Sequence, residues 1–352
     1  MSREDIPETA PSSFFENNMM PISERLRFGT NVGGNETGLV EPSATNKGLP
    51  EYNISWQFIE FTYEQNNFFM NPTYVDFAAV SLDLTLTSKK ADANNSTVRG
   101  LEAGALENIC TDLKSQSVAD RQSWEDLCLV GGDGNVIRVI SPTQFLALNP
   151  SNKMANYYDE YVDKVWEKYK DNDLTINTQY RDNIKVANGR EVVCNVNSED
   201  QLLHCSSKDI SSSEQETFKF RKPTTFEIMG CIQSSPTQTP NGTDPGSPFT
   251  VKDSINKTQA LIVPRLCAAF TRSTLLLEGG NVFPNENITA DLYYGGNTTN
   301  HYSRIVHARL VDGIGYSFAY DDTNPSGSDN RTTNAGGVIQ DPDPTLMLVR
   351  VR

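Results

Sequence analysis

Basic side chains are in short supply: 30 Lys and Arg face 45 Asp and Glu, leaving a formal charge of −15. A chain of this sign repels nucleic acid and anionic lipid, which are bound chiefly by neutralising phosphate. Neither nucleic acid nor a membrane is therefore expected as a partner, whereas a neutral polymer is compatible with the charge. No apolar run approaches the roughly 20 residues that span a bilayer. Only three histidines are present, and none of the six cysteines falls in a CxxC pair. A metal site is not expected, and nothing in the chain calls for a cofactor. The start, Met1-Ser2-Arg3-Glu4-Asp5, has no apolar stretch of the signal-peptide kind. No internal repeat is found.

What the chain does have is 352 residues, with 23 Gly, 18 Pro and abundant Asn, Ser and Thr. The length suits one large or two ordinary domains. The composition favours a loop-rich, mainly β protein over a helical bundle. The even cysteine number suggests disulfides. Sequence leaves the connectivity open, and the local pairing Cys110–Cys128, Cys194–Cys205, Cys231–Cys267 is the working guess. Asn35, Asn53, Asn94, Asn95, Asn241, Asn256, Asn287, Asn297 and Asn330 each head an Asn-x-Ser/Thr triplet. Together with the cysteines they point to an extracellular, secreted protein.

Residues 54–63 and 74–87 read as the strongest strand pair. From Asp76 to Leu86 the parity puts Ala78, Val80, Leu82, Leu84 and Leu86 on one face. Short strands are expected between Glu24 and Pro42, and again at Tyr302–Val311, Gly315–Tyr320 and Thr345–Val351. Helices are expected where Leu101, Ala105, Ile109 and Leu113 recur, over Tyr157–Tyr169, and over Thr258–Thr271 with Pro264 as a kink. Residues 1–20 read as poorly ordered, and 206–215, 232–249 and 321–344 as loops.

Glu60 and Asp76 sit inside the first two apolar stretches. A carboxylate among aromatic and β-branched residues is costly unless it is paired, hydrogen-bonded or functional. The sequence midpoint between them lies at residues 65–69, so a symmetric hairpin would set them opposite each other. Two such acids are the equipment of glycoside hydrolysis. One must be kept protonated by apolar surroundings, for which Phe58, Phe61 and Phe69 are at hand. The other must hold a water. The competing reading is that both are tied to basic residues or cap turns.

Several stretches together resemble glycoside hydrolase family 64, β-1,3-glucanases of thaumatin-like fold. They are Trp56–Tyr63 followed by Asn71-Pro72-Thr73-Tyr74-Val75-Asp76-Phe77; Tyr157–Tyr169; Leu266-Cys267-Ala268-Ala269-Phe270-Thr271-Arg272; and His307 with Asp312-Gly313 and Tyr316-Ser317-Phe318-Ala319-Tyr320-Asp321-Asp322. Thr271 stands where the family has Asn, and family strands ahead of the segment at Arg25–Gly29 are absent, so unpaired sheet edges are expected. The resemblance implies a mainly β fold with an α/β insertion. A thaumatin-like β-sandwich or barrel domain from residues 1–88 and 300–352 would adjoin a mixed, helix-containing domain from 89–299, with a cleft between them. It also implies a monomeric, cofactor-free, inverting endo-hydrolase of β-1,3-glucan. Glu60 would be its acid and Asp76 its base, with Thr62, Phe69, Thr73, Asp321 and Asp322 as sugar-binding residues. The alternative is a β-glucan-binding module without catalysis. His301 and His307 are read as structural, on one strand.

Overall fold

The computed structural model describes residues 27–30, 37–40, 42–64, 67–89, 96–178, 191–207, 217–232, 249, 257–324 and 335–352. Residues 1–20, expected to be poorly ordered, lie outside these, as do 208–215, 233–248 and 325–334 of the three expected loops; the last loop ends sooner than expected, because Ile339–Asp341 is a strand.

Strands β1 (Arg27–Thr30) and β2 (Thr37–Val40) form a two-stranded sheet. The next strands are β3 (Ile59–Glu64), β4 (Asn67–Pro72), β5 (Phe77–Ala78), β6 (Leu82–Ser88) and β7 (Ser96–Val98). Helix α1 (Ala105–Asp120), β8 (Cys128–Val130), β9 (Val136–Ile140), α2 (Pro142–Leu148) and α3 (Asp159–Asp171) follow. Then come β10 (Leu174–Asn177), β11 (Glu191–Val196), β12 (Leu203–Ser207), β13 (Thr217–Phe220), α4 (Thr225–Gly230) and α5 (Lys257–Thr271). The chain closes with β14 (Val282–Phe283), α6 (His301–Arg309), β15 (Ile339–Asp341) and β16 (Pro344–Val351).

Two three-stranded sheets, β15-β4-β3 and β16-β6-β7, enclose a small core of Phe68, Met70, Leu82, Leu84, Leu86, Val98, Ile314 and Ile339. The alternation read from Leu82 to Leu86 is the inner face of β6. On β3, Phe61 and Tyr63 stand opposite Met70 and Phe68 and share their face, yet they are 58% and 73% exposed. On β16, Met347 and Val351 face inward with Leu86 and Leu82, and remain 38% and 45% exposed. Among the described residues β3 and β16 are both edge strands, so no described strand closes the sandwich along that side.

A much larger core surrounds α3, α5, α6 and the five-stranded sheet β13-β12-β11-β10-β14. Helix α3 buries Tyr161, Val162, Val165, Trp166 and Tyr169 on one stripe. Asp159 and Glu160 at its start and Lys168 and Lys170 at its end complement the helix dipole. Thr224 and Glu227 close α4 with a reciprocal capping box. Helix α5 accommodates Pro264 internally. Disulfides join Cys110 to Cys128 and Cys194 to Cys205, the latter between directly opposed residues of β11 and β12.

Several expectations need correction. The third cysteine pair is not bonded: Cys231 and Cys267 are buried free thiols, and burial pushes Cys267 well above its usual range, holding it protonated. The segment from His301 is a helix, not a strand. Asn300 accepts from Ser303 N at 3.1 Å, and Tyr302, Ile305 and Val306 are buried at helical spacing. The stretch Gly315–Tyr320 carries a single bridge, Thr73 to Tyr316, and no strand. Residues 54–63 do not pair with 74–87. Instead β3 pairs with β4, β5 with β9, and β6 with β16.

Candidate active site

The turn between β3 and β4 comes earlier than the sequence midpoint suggested. Glu64 pairs with Asn67, which sets Thr62 against Phe69 and Glu60 against Asn71. Strand alternation then divides the hairpin. Phe61 and Tyr63 go to the sandwich side, whereas Glu60, Thr62, Phe69 and Asn71 share the opposite face. Phe61 is therefore not part of the apolar surround of Glu60. It stacks on Phe68 on the other side, with ring centroids 5.8 Å apart.

Asp76 lies past the end of β4, in a bend. Thr73 bridges in parallel to Tyr316, Tyr74 N donates to Tyr316 O at 2.6 Å, and Tyr316 N donates to Pro72 O at 3.0 Å. The chain then turns before β5, and Gln144 Nε2, from the first turn of α2, donates to Asp76 Oδ1 at 3.1 Å. The Asp76 backbone carbonyl accepts from Ser141 N at 2.8 Å, so the residue is held at both ends. As a residue Glu60 is exposed. Desolvation raises its pKa above the usual glutamate range, and the nearby charge of Asp76 raises it further. Hydrogen bonding from Asn71 and Thr73 offsets part of this. Neither Glu60 nor Asp76 forms an ion pair with any described residue, so the reading in which basic residues neutralise them finds no support here.

Tyr316 ties the remaining acid to this face. It is buried, and its phenol is pushed far up, first by desolvation and then by Asp322, Asp321 and Glu60. Asp322 is itself raised by desolvation, and its hydrogen bond with Tyr316 counteracts the rise. A Cβ at Gly336 would lie 3.0 Å from both Asp322 N and a Tyr316 ring carbon, so a larger residue there would press on both.

Asp321 behaves differently from its neighbour. It is fully buried, within hydrogen-bonding distance of Arg272 (3.1 Å), His307 Nε2 (2.8 Å), Ser317 N (2.9 Å) and Ser317 Oγ (2.8 Å). Desolvation pushes it up, but His307, Arg272 and Ser317 together outweigh that, and its pKa falls below the usual range. With no accessible surface, Asp321 does not face a ligand and is a structural anchor instead. Ser317 Oγ, His307 and Asp321 are not a nucleophilic triad. The hydroxyl (2.9 Å) and the carboxylate meet the same Nε2, while Nδ1 faces Gly313 O at 3.1 Å.

The structure thus gathers Glu60, Thr62, Phe69 and Thr73 on one face. Asp76 lies within electrostatic reach of Glu60, Asp322 is joined through Tyr316, and Asp321 is withdrawn. Asn71, Gln144 and Tyr316 complete the site and were not foreseen. Asn71 was findable, because Gln65-Asn66 between Glu64 and Asn67 has the composition of a tight turn and so sets the register. Among the described residues no cluster of His, Cys, Asp and Glu could hold a metal, and no helix is long and apolar enough to cross a membrane.

A mixed sheet-and-helix protein with two neighbouring carboxyl groups, neither ion-paired with a described residue, has the equipment of a glycoside hydrolase. Comparison with known proteins makes the assignment: the chain belongs to glycoside hydrolase family 64, the beta-1,3-glucanase family, whose model matches residues 20–351. It is similar to glucan endo-1,3-beta-glucosidases of Arthrobacter sp. (strain YCWD3), 24% identical, and of Cellulosimicrobium cellulans, 25% identical. Each match covers 81% of this chain and 44% of the relative, so the chain spans less than half the length of these relatives. Two solved structures share the fold. A laminaripentaose-producing beta-1,3-glucanase bound to laminaritetraose superposes with TM-score 0.67 at 24% identity, covering 89% of this chain and 72% of that one. A beta-1,3-glucanase domain from Clostridium beijerinckii gives 0.65 at 18%, covering 93% and 71%.

Proposed function

We propose that this protein is an endo-acting hydrolase of β-1,3-glucan that works by inversion, with Glu60 as general acid and Asp76 as general base. The observation that carries the reading is the pair itself: two acids within electrostatic reach of each other, unpaired with any described base, one raised by desolvation and by the other's charge. Glu60 donates its proton to the glycosidic oxygen as that bond breaks. Asp76 takes a proton from the water that attacks the anomeric carbon from the opposite face, and Gln144 holds the carboxylate in place. Inversion requires the two carboxyls to be about 6.5–9.5 Å apart, leaving room for that water. The position of Asp76 beyond the hairpin, rather than directly across it, suits the wider spacing, since directly paired residues have Cβ atoms only about 5 Å apart.

Thr62, Thr73 and Asp322 supply hydroxyl and carboxyl partners for sugar hydroxyls, and Phe69 offers a ring face to a pyranose. Asp321 serves by anchoring the turn that presents Tyr316 and Asp322. The small sandwich and the larger helix-containing core flank these residues in a thaumatin-like arrangement, with the glucan lying in a cleft between them. The two disulfides and the acidic surface suit an extracellular protein acting as a monomer on a neutral polymer.

The open side of the sandwich favours one other reading, a glucan-binding module whose catalytic face is too mobile to turn over. Incubation with laminarin, following the anomer of the first product by NMR, decides between them. The hydrolase reading expects the α-anomer first. Release of the β-anomer would refute inversion, and binding without sugar release would establish the module.

A further inference from the structure

Among the described residues three asparagines open an Asn-x-Ser/Thr triplet with no proline in the middle: Asn53-Ile54-Ser55, Asn287-Ile288-Thr289 and Asn297-Thr298-Thr299. All three asparagines are exposed, and none hydrogen-bonds through its side chain to a described residue. We propose that Asn53, Asn287 and Asn297 are N-glycosylation sites, each carrying an oligosaccharide on its amide nitrogen. The inference is independent of the hydrolase reading and needs only passage through a secretory compartment. The triplets at Asn35, Asn94, Asn95, Asn241, Asn256 and Asn330 lie outside the described residues.

Elsewhere the asparagine side chain is mostly put to structural use. Asn152 Oδ1 accepts from Met154 N at 2.9 Å, Asn197 Oδ1 from Glu199 N at 2.8 Å, and Asn300 Oδ1 from Ser303 N at 3.1 Å. The sharpest contrast is with Asn149-Pro150-Ser151 and Asn324-Pro325-Ser326, where the middle residue is proline. Proline fixes its own φ and forces the residue before it toward extended backbone, so the amide and the hydroxyl cannot fold toward each other for transfer. In both, the amide is used internally: Asn149 Nδ2 donates to Phe145 O and Asn324 Nδ2 to Asp322 O, each at 2.9 Å.

The three open triplets are held by backbone or by the middle residue, and the asparagine is turned outward. The buried Arg138 guanidinium donates to the carbonyls of Glu51 and Tyr52, each at 3.1 Å, and to that of Ile54, so the main chain on both sides of Asn53 faces inward. At the second triplet Asn285 Oδ1 accepts from Asn287 N at 2.9 Å, and Ile288 is buried in a small cluster with Tyr293 and Tyr294. At the third, Tyr157 Oη donates to Asn297 O at 3.3 Å and accepts from Thr299 N at 3.2 Å. A bulky, hydrated glycan on any of these amides displaces no packed side chain.

In the transfer the amide nitrogen attacks C1 of a lipid-pyrophosphate-linked oligosaccharide. The C1–N bond forms and the C1–O bond to the pyrophosphate breaks. The lipid pyrophosphate leaves, and the nitrogen gives up one proton. The transferring enzyme reads the hydroxyl two residues further on. Thr299 is fully buried in the fold, with its hydroxyl 3.4 Å from Thr271 O. Asn297 is therefore modified on the extended chain during export, before α6 packs.

The test secretes the full chain, led by a cleavable export signal, from a eukaryotic host. Peptide N-glycosidase in heavy-oxygen water then converts each glycosylated asparagine to a heavy-oxygen aspartate, read by peptide mass spectrometry. The same digest is run on chain retained in the cells, so that poor secretion does not hide the result. Label is expected at Asn53, Asn287 and Asn297 and not at Asn149 or Asn324. Asn53→Gln, Asn287→Gln and Asn297→Gln are each expected to remove one mobility step from the glycosylated protein, with the melting temperature of the deglycosylated chain unchanged. An unlabelled asparagine overturns the assignment at that position, and label at none of the three overturns the proposal. Label at Asn149 or Asn324 would refute the contrast on which it rests.

Discussion

The two cores of this protein are built to different standards, and the proposed chemistry sits on the looser one. Around α3 and α5, Tyr158, Tyr169 and Phe270 are buried, two disulfides tie neighbouring elements, and the charges of Arg272 and Asp321 satisfy each other out of water. Among the described residues, the sandwich that carries Glu60 has a core of eight buried side chains and leaves Phe61, Tyr63, Met347 and Val351 at an edge that no described strand covers. On such a margin Glu60 keeps access to solvent. The turn that presents Tyr316 and Asp322 to it is clamped from the sealed side. The tight core fixes geometry, and the outer face of the open sandwich carries Glu60.

The contrast can be broken at four points. The largest effect is expected at Glu60. Glu60→Gln should lower the hydrolysis rate about 10²–10⁴-fold while laminarin binding and the circular dichroism spectrum persist; unchanged turnover would remove Glu60 from the mechanism. Next comes the clamp. Asp321→Ala removes the counter-charge of the buried Arg272, leaving it only the carbonyls of Thr323 and residue 321, so a loss of about 3–5 kcal/mol is expected in urea unfolding. A loss below about 1 kcal/mol would mean that the clamp is dispensable. Third, Phe270→Ala in the sealed core should cost about 3–5 kcal/mol, whereas Phe61→Ala at the open edge should stay within about 1 kcal/mol. Equal costs by the same measurement would erase the distinction between the cores.

The smallest effect is a pH dependence. A carboxyl raised in the folded state binds more protons there than in the unfolded chain. Folding stability is therefore lost as pH climbs from the unfolded value of about 4.3 through the folded one. Since Glu60 is raised, the Tm of Glu60→Gln should rise relative to wild type over that interval. A constant difference across it would show that Glu60 is not raised.

Much of the sealed core was legible because its signals are local. The buried stripe of α3 and the span of α5 follow from spacing along the chain, whereas of the three local cysteine pairs guessed, Cys110–Cys128 and Cys194–Cys205 form and Cys231–Cys267 does not. The open sandwich was harder. Its inner face on β6 shows in the alternation of Leu82, Leu84 and Leu86, but the pairing of β3 depends on where the hairpin turns. Two residues of error there move Glu60 from Asn71 to a supposed partner near Asp76. Helix α6 was missed because Tyr302, Val306 and Leu310 satisfy a strand parity almost as well as a helical one. Asp321 and Asp322 are adjacent and chemically identical in sequence. Only the turn that folds Asp321 back onto Ser317 N separates a buried anchor from an acid at the site. Gln144 reaches Asp76 from 68 residues away, and no spacing rule predicts such a contact.

The most direct measurement is the titration of Glu60 itself, by carboxyl carbon NMR of the labelled protein, in wild type and in Asp76→Asn. The account predicts a Glu60 pKa above the ordinary glutamate value that falls when the Asp76 charge is removed. A value at or below the ordinary one, or one indifferent to Asp76, would contradict it.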